Sequence, residues 1–380
     1  MNNTKEHQIC TNCVMDTTDP KIVFDENGVC DNCHSFYRDT LPNWHPNPYG
    51  HLLAQKKVEE IKRVGKGKKY DCIMGLSGGL DSSYLLHLVV TKFKLRPLVF
   101  HVDAGWNTEM AVSNIENMVK NLGLELFVEV INWKEMRDFQ LALFKSGTPH
   151  LDLAQDHAFF ATMYHFANKH NIKYILNGGN FSTEGIRNPL DWLYYGTDMP
   201  FLKDILKKFG TVEMKTYPWS GVLYHKFYLR YFKRIKVVKL LNLLPYVKEE
   251  AMDELTEAYN WKRYPQKHFE SYFTRFYEGY WLPKRFNMDT RKVQFSSLIV
   301  TDQMTRKEAL ERLKSPDYTE DMAKDDFTYV SKKLGISEDE FNSYFKMEKK
   351  SFRDYKNQEK LFEYGAKIIK YFTGEGSIKR

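Results

Sequence analysis

Between Tyr70 and Asn177 short apolar runs alternate with stretches of helical period. Tyr70–Gly75, Pro97–Val102, Glu125–Ile131 and Tyr174–Asn177 read as buried strands. Leu80–Phe93 sets Leu85, Leu86, Val89, Val90 and Phe93 on one face at helical spacing. Met110–Asn121, Lys134–Phe144 and Gln155–His170 read as further helices. The alternation predicts an α/β fold with a doubly wound parallel sheet. Ligands of such sheets bind at the carboxyl ends of the strands. Three polar strand ends converge there: SGGLDS, HVDAGWN and NGGNFSTEG.

The flanks have other patterns. In residues 1–50 a short apolar run, Ile22 to Phe24, and a turn at Glu26-Asn27-Gly28 suggest a small ribbon. LPNWHPNPYG (41–50) reads as a proline-rich linker. A helix follows at about His51–Val64, then GKGKK, a solvated loop. Phe227–Leu244 is a basic amphipathic helix candidate. It is either core on one face with a solvated or substrate-facing basic side, or a membrane-surface helix. Residues 251–380 are mostly helical in pattern. Lys284, Arg285, Arg291, Lys292 and Arg306 concentrate charge there, for phosphates or an acidic sugar, or as a solvated face.

Ser77, Gly78 and Gly79 form a tight turn between strand and helix. Backbone N–H groups and the helix dipole make that turn an anion site, best suited to phosphate. The glycines let backbone approach the ligand, and Ser77, Ser82 and Ser83 add hydroxyls. Asp81 in a phosphate site suggests a magnesium role, direct or through water. Without a G-K-[ST] ending the loop is not a Walker A loop. It resembles the SGGxDS signature of the PP-loop ATP pyrophosphatases, among them asparagine, GMP and NAD synthetases and tRNA thiolation enzymes. That resemblance assigns Ser77, Gly78, Gly79, Asp81, Ser82 and Ser83 to ATP phosphates, and Asp103 and Gly105 to the adenosine side. Gly179 leaves room for a ligand backbone contact, and Asn180 and Glu184 are placed for substrate or magnesium.

Cys10, Cys13, Cys30 and Cys33 form C-x2-C…C-x2-C, a spacing that reads as structural zinc before disulfide. Four thiolates leave no open position for chemistry. The fifth cysteine, Cys72, lies in the first strand.

The 380 residues, 42% hydrophobic, suffice for two or three domains, and the net charge of +7 suits an anionic substrate as well as nucleic acid. No run resembles a signal peptide or reaches transmembrane length, so a cytoplasmic protein is expected. Sulfur chemistry is disfavoured, since only Cys72 is spare. Ammonia is the better nucleophile, but no glutaminase is visible. The second residue is Asn2, which excludes an N-terminal cysteine nucleophile.

Most of the chain resembles the N-acetyl sugar amidotransferases of the WbpG/PseA-like group. CTNCVMDTTDP with CDNC, SGGLDSS, HVDAGWN, ILNGGNFSTEG, YVKEEAMDEL and TRFYEGYWLPKRFNMDTRKVQFSSLI carry the resemblance. It implies three parts: a four-cysteine zinc module and linker (1–50), a PP-loop domain (51–230) and a mainly helical C-terminal domain (231–380). It implies ATP, Mg2+ and structural Zn2+. ATP would activate the amide oxygen of a nucleotide-activated acetamido sugar, and ammonia would replace that oxygen to give an acetamidino group. Ammonia would come from a separate glutaminase through a cyclase-like channelling subunit, both similar to those of imidazole glycerol phosphate synthase. Products would enter lipopolysaccharide O-antigen or flagellin glycan. Lys248, Arg291 and Lys292 are candidates for pyrophosphate or sugar contacts and join Asp81 and Glu184 as catalytic candidates. No nucleic acid and no membrane insertion are expected. The alternatives are a tRNA thiolation-type enzyme and a non-catalytic zinc adaptor.

Overall fold

The computed structural model describes residues 6–373. Asn2 and the end of the expected C-terminal domain lie outside them.

Five strands form one parallel sheet in the order β3-β2-β1-β4-β5. They are β1 (Cys72–Gly75), β2 (Pro97–Asp103), β3 (Leu126–Val130), β4 (Tyr174–Leu176) and β5 (Lys236–Val238). Along β1 successive side chains serve opposite cores, as the two-residue period of a strand requires. Cys72 and Met74 pack with Leu85, Leu86, Val89, Leu241 and Leu255. Ile73 packs with Leu98, Phe100, Tyr164 and Ile175. Helices therefore cover both faces, and the runs are apolar rather than alternating. Burying Ile73 completely makes it a costly position: truncation to alanine loses about 2–5 kcal/mol.

The structure corrects the expected helix at Phe227–Leu244. A π-helical segment, Tyr224–Phe232, gives way to β5 and then to a 3-10 turn at Leu240–Leu243. The sheet thus continues past residue 230, because β5 takes the open edge of β4, with Ile175 beside Val237. The linker region is shorter than its prolines suggest. A helix starts at Pro48, capped by the Asn47 side chain. Among the described residues the N-terminal module pairs through isolated bridges, Ile9 with Asp16 and Phe24 with Cys30. A third core, rich in Trp106, Phe139, Phe144, Trp281 and Phe341, joins the C-terminal helices to the strand-end loops.

Candidate functional site

β1 ends at Gly75, and the helix Leu80–Thr91 begins four residues beyond Leu76 with Gly79 as its N-cap. No side chain caps that end, so its first-turn N–H groups face the cleft for an anion. The loop is braced from within. Gly79 N–H donates to Ser77 Oγ at 3.2 Å, Ser77 N–H to Ser82 Oγ at 3.3 Å, and Ser82 Oγ to the Gly79 carbonyl at 3.3 Å. Gly78 has φ +82°, and a Cβ there would meet the Ala111 carbonyl at 2.7 Å. A Cβ on Gly79 would meet Glu270 Oε1, also at 2.7 Å. Glycine is required at Gly78, by conformation and by the Ala111 backbone, whereas a side chain at Gly79 would have to displace the Glu270 carboxylate.

Asp81, in the first turn of that helix, is the hub of the site. Its Oδ1 accepts from Tyr246 Oη at 2.5 Å and Asn180 Nδ2 at 3.1 Å. Its Oδ2 faces Lys267 Nζ at 3.3 Å, and the same ammonium reaches Glu184 Oε1 at 2.6 Å. Burial opposes the charge on Lys267, but Glu184 and Asp81 outweigh it and hold the ammonium above the ordinary lysine range. Burial likewise opposes the Glu184 charge, and Lys267 overcomes it. Next to this pair, His268 Nδ1 lies 2.9 Å from Glu278 Oε2. Burial disfavours its imidazolium, yet Glu278 and Glu270 push its pKa up to about 9. Burial raises the Glu270 carboxyl and lowers the Lys248 ammonium. The arrangement can bind a polyphosphate at the loop, neutralise charge from Lys267 and Lys248, and present carboxylates to a divalent cation.

Asp81, Glu184, Lys267, His268, Glu270 and Glu278 line a cleft of about 740 Å³ at the carboxyl ends of β1, β2 and β4. The cleft brings together Ser77, Gly79, Asp81, Ser82, Gly179, Asn180, Glu184 and Lys248 from the sequence-derived set. Gly78, Ser83, Asp103, Gly105, Arg291 and Lys292 lie outside its lining. Each has another task. Ser83 Oγ accepts from Trp261 Nε1 inside the core. Asp103 Oδ1 accepts from Gly105 N–H at 2.7 Å and Asn107 Nδ2 at 3.1 Å, shaping the strand-end loop. Gly105, at φ +88°, lies against Trp133, where a Cβ would come within 2.9 Å of the ring. Sequence reasoning missed Lys267, His268, Glu270, Glu278 and Tyr246. The one signal for four of them was local, a run of charge among aromatics in KHFESYFTRFYE.

Two cations of the basic C-terminal segment, Lys292 and Arg306, hold the cysteine module. Lys292 Nζ reaches Asp16 Oδ2 at 2.5 Å and Thr18 Oγ1 at 3.2 Å. Arg306 Nε donates to the carbonyls of Cys10 and Cys13 at 3.0 and 2.9 Å. Arg291 is occupied by Asp289 and the carbonyl of Leu313. The four thiols are buried, and their sulfurs all lie within 4.8 Å of one another, so the cluster could hold a metal. Backbone N–H groups of Cys13 and Cys30 point at Cys10 Sγ, at 3.4 and 3.2 Å, which favours thiolate. Cys72 stays apart, and burial pushes its thiol up.

Comparison with known proteins divides the chain at this same cleft. Residues 71–177 match the phosphoadenosine phosphosulfate reductase domain family. Residues 270–369 match the C-terminal domain of LPS biosynthesis protein WbpG-like proteins. The chain joins a region of the first family to a WbpG-like C-terminal region. Asp81 belongs to the first matched region and Glu270 and Glu278 to the second, with Lys267 between them. An uncharacterized protein, MJ1599, of Methanocaldococcus jannaschii is 33% identical over 122 residues, 31% of this chain and 41% of that one. The chain thus matches about two-fifths of that relative's length. Among solved structures, the NH3-dependent NAD synthetase from Campylobacter jejuni is 14% identical with a TM-score of 0.28, covering 57% of this chain and 98% of that one. The U34-tRNA thiolase NcsA from Methanococcus maripaludis, with its [4Fe-4S] cluster, is 13% identical with a TM-score of 0.34, covering 82% and 89%. No helix among the described residues is long and apolar enough to cross a membrane.

Proposed function

We propose that this protein is an amidotransferase that converts the acetamido group of a nucleotide-activated sugar into an acetamidino group. One observation carries the reading. The helix Thr290–Val300 of the WbpG-like region lines the same cleft as the phosphate loop, through Thr290, Val293, Gln294 and Phe295. Part of the cleft wall therefore comes from the region that matches the LPS biosynthesis WbpG-like proteins. The cleft also has the size of a small-molecule site.

ATP supplies an activating adenylyl group. The amide oxygen of the sugar attacks the α-phosphorus and pyrophosphate leaves. Ammonia then attacks the activated carbon, AMP departs with the former amide oxygen, and loss of a proton leaves the amidine. The chain's own part is to position and neutralise. The loop N–H groups, Ser77 and Ser82 hold departing phosphates. Lys248, short of its usual proton affinity through burial, is suited to meet them. Asp81 and Glu184 would hold Mg2+. Among the described residues no cysteine lines the cleft, which favours nitrogen over the thiolation alternative.

Zinc is proposed for the cysteines. A Zn–S bond of about 2.3 Å makes tetrahedral edges of about 3.8 Å. The Cys10–Cys33 and Cys13–Cys30 sulfurs stand 3.9 and 3.7 Å apart. An iron–sulfur cubane spreads its ligands wider, because each binds a different iron. A cytoplasmic location, a separate glutaminase with its channelling subunit, and a place in surface-glycan synthesis complete the proposal.

The test is pyrophosphate release from ATP and ammonium with a panel of nucleotide-linked acetamido sugars. Mass spectrometry should find oxygen replaced by NH on one sugar. Release stimulated only by tRNA and a sulfur donor would overturn the proposal.

A further inference from the structure

The segment Tyr224–Phe232 turns most of its side chains outward. Leu223, Phe227, Tyr231 and Phe232 are 68, 57, 63 and 78% exposed, and only Leu229 is buried within the segment. Large apolar side chains in one exposed patch mark an interaction site. The charge around them has a single sign. No acidic residue occurs between Glu213 and Glu249. Arg230 lies 5.8 Å over the Tyr231 ring and Lys233 lies 5.6 Å over Tyr228.

The patch leads into β5 from its amino end, with Lys236 N–H bonded to the Lys173 carbonyl just before β4. It therefore sits at the end of the sheet opposite the cleft. Lys173 donates to the Lys233 carbonyl, and Lys68 to the Asn171 carbonyl, so cations gather at that end. Burial lowers the Lys173 ammonium, and the like charges of Lys68, Lys233 and Arg234 lower it further. Lys236 is paired with Glu60 at 2.8 Å.

We propose that this face docks on an anionic phospholipid bilayer, which the protein meets from one side without crossing it. Exposed aromatic rings suit the boundary between headgroups and acyl chains, and the basic side chains beside them suit anionic headgroups. An acidic protein would satisfy the cations but leave the aromatic rings without a matching apolar phase. Docking through this end leaves the cleft open to solution.

The experiment is co-sedimentation of the full chain with vesicles of phosphatidylcholine, alone or mixed with phosphatidylglycerol, over a range of salt. The protein should bind the mixed vesicles, release with rising salt and ignore the neutral ones. Neutralising three cations with R230Q/K233Q/R234N should weaken partition about a hundredfold. Asparagine is used at 234 because that residue has φ +54°. F227S/F232S should weaken it at least about tenfold. Both variants should keep the wild-type melting curve and pyrophosphate release in solution. Equal partition of wild type and variants would overturn the proposal. So would failure to bind phosphatidylglycerol vesicles, including the case where the patch instead forms a salt-sensitive complex with an acidic protein.

Discussion

Lys267 holds its ammonium 3.3 Å from Asp81 Oδ2, although the two residues come from different parts of the chain's architecture. The same nitrogen bonds Glu184, so one cation bridges two carboxylates beside the phosphate loop. Without it, two negative charges would face an incoming polyphosphate.

Lys267→Met should therefore lower kcat/KM for ATP about a hundredfold, the equivalent of about 2.7 kcal/mol. Raised Mg2+ should restore part of the loss, since a divalent cation can stand between the same carboxylates. Steady-state pyrophosphate release across a Mg2+ series is the measurement. An unchanged kcat/KM would remove Lys267 from the site.

Asp81→Asn keeps the shape and the bond from Tyr246 but removes the charge. The fold should survive, and turnover should drop about a hundredfold or more. Near-normal turnover of the folded variant would show that the carboxylate has no part in phosphate chemistry.

His268 gives stability a pH signature. Its folded pKa of about 9 lies above the unfolded value of about 6.5. The imidazolium contribution is then fully present below about pH 6.5 and is lost as pH rises through about 9. Solvent screening of a side chain 36% exposed reduces it to about 1 kcal/mol. The His268→Asn destabilisation, read as unfolding free energy from denaturant titration, should be larger at pH 6 than at pH 9.5 by about that amount. Asparagine tolerates the φ of +69° at this position. Equal pH slopes in both proteins would contradict the assignment.

Purified protein should carry one zinc per four-cysteine cluster and show no iron–sulfur absorbance. Cys30→Ser should release the metal and expose the N-terminal module to protease before the sheet. Arg306→Ala should loosen the same module while sparing the metal, because Arg306 binds carbonyls and not sulfur. Iron in place of zinc would revive the thiolation alternative.

Ammonium should serve as nitrogen donor for this chain alone, and glutamine only after a separate glutaminase is added. Cys72 is fully buried, and a thiol must be accessible to attack glutamine. Glutamine-dependent product from the chain alone would disprove the need for a partner.

Read alone, the sequence determined the parallel sheet through its apolar runs, the strand-turn-helix loop through SGGLDSS, and the four-cysteine cluster through cysteine spacing. These features are local: period, turn chemistry and ligand spacing are written in adjacent residues. It also led Arg291 and Lys292 toward phosphate, when Asp289 and Asp16 hold them. A cation's neighbours in sequence do not say which carboxylate it will meet. β5 escaped because its short run, Lys236 to Val238, is polar at one end and half exposed, and only the edge of β4 makes it a strand. Tyr246 reaches Asp81 across 165 positions, and Glu270 meets Gly79 across a still longer stretch. Only tertiary structure decided those meetings. They depend on how the helices after the sheet pack over its carboxyl edge, and no local pattern encodes that packing.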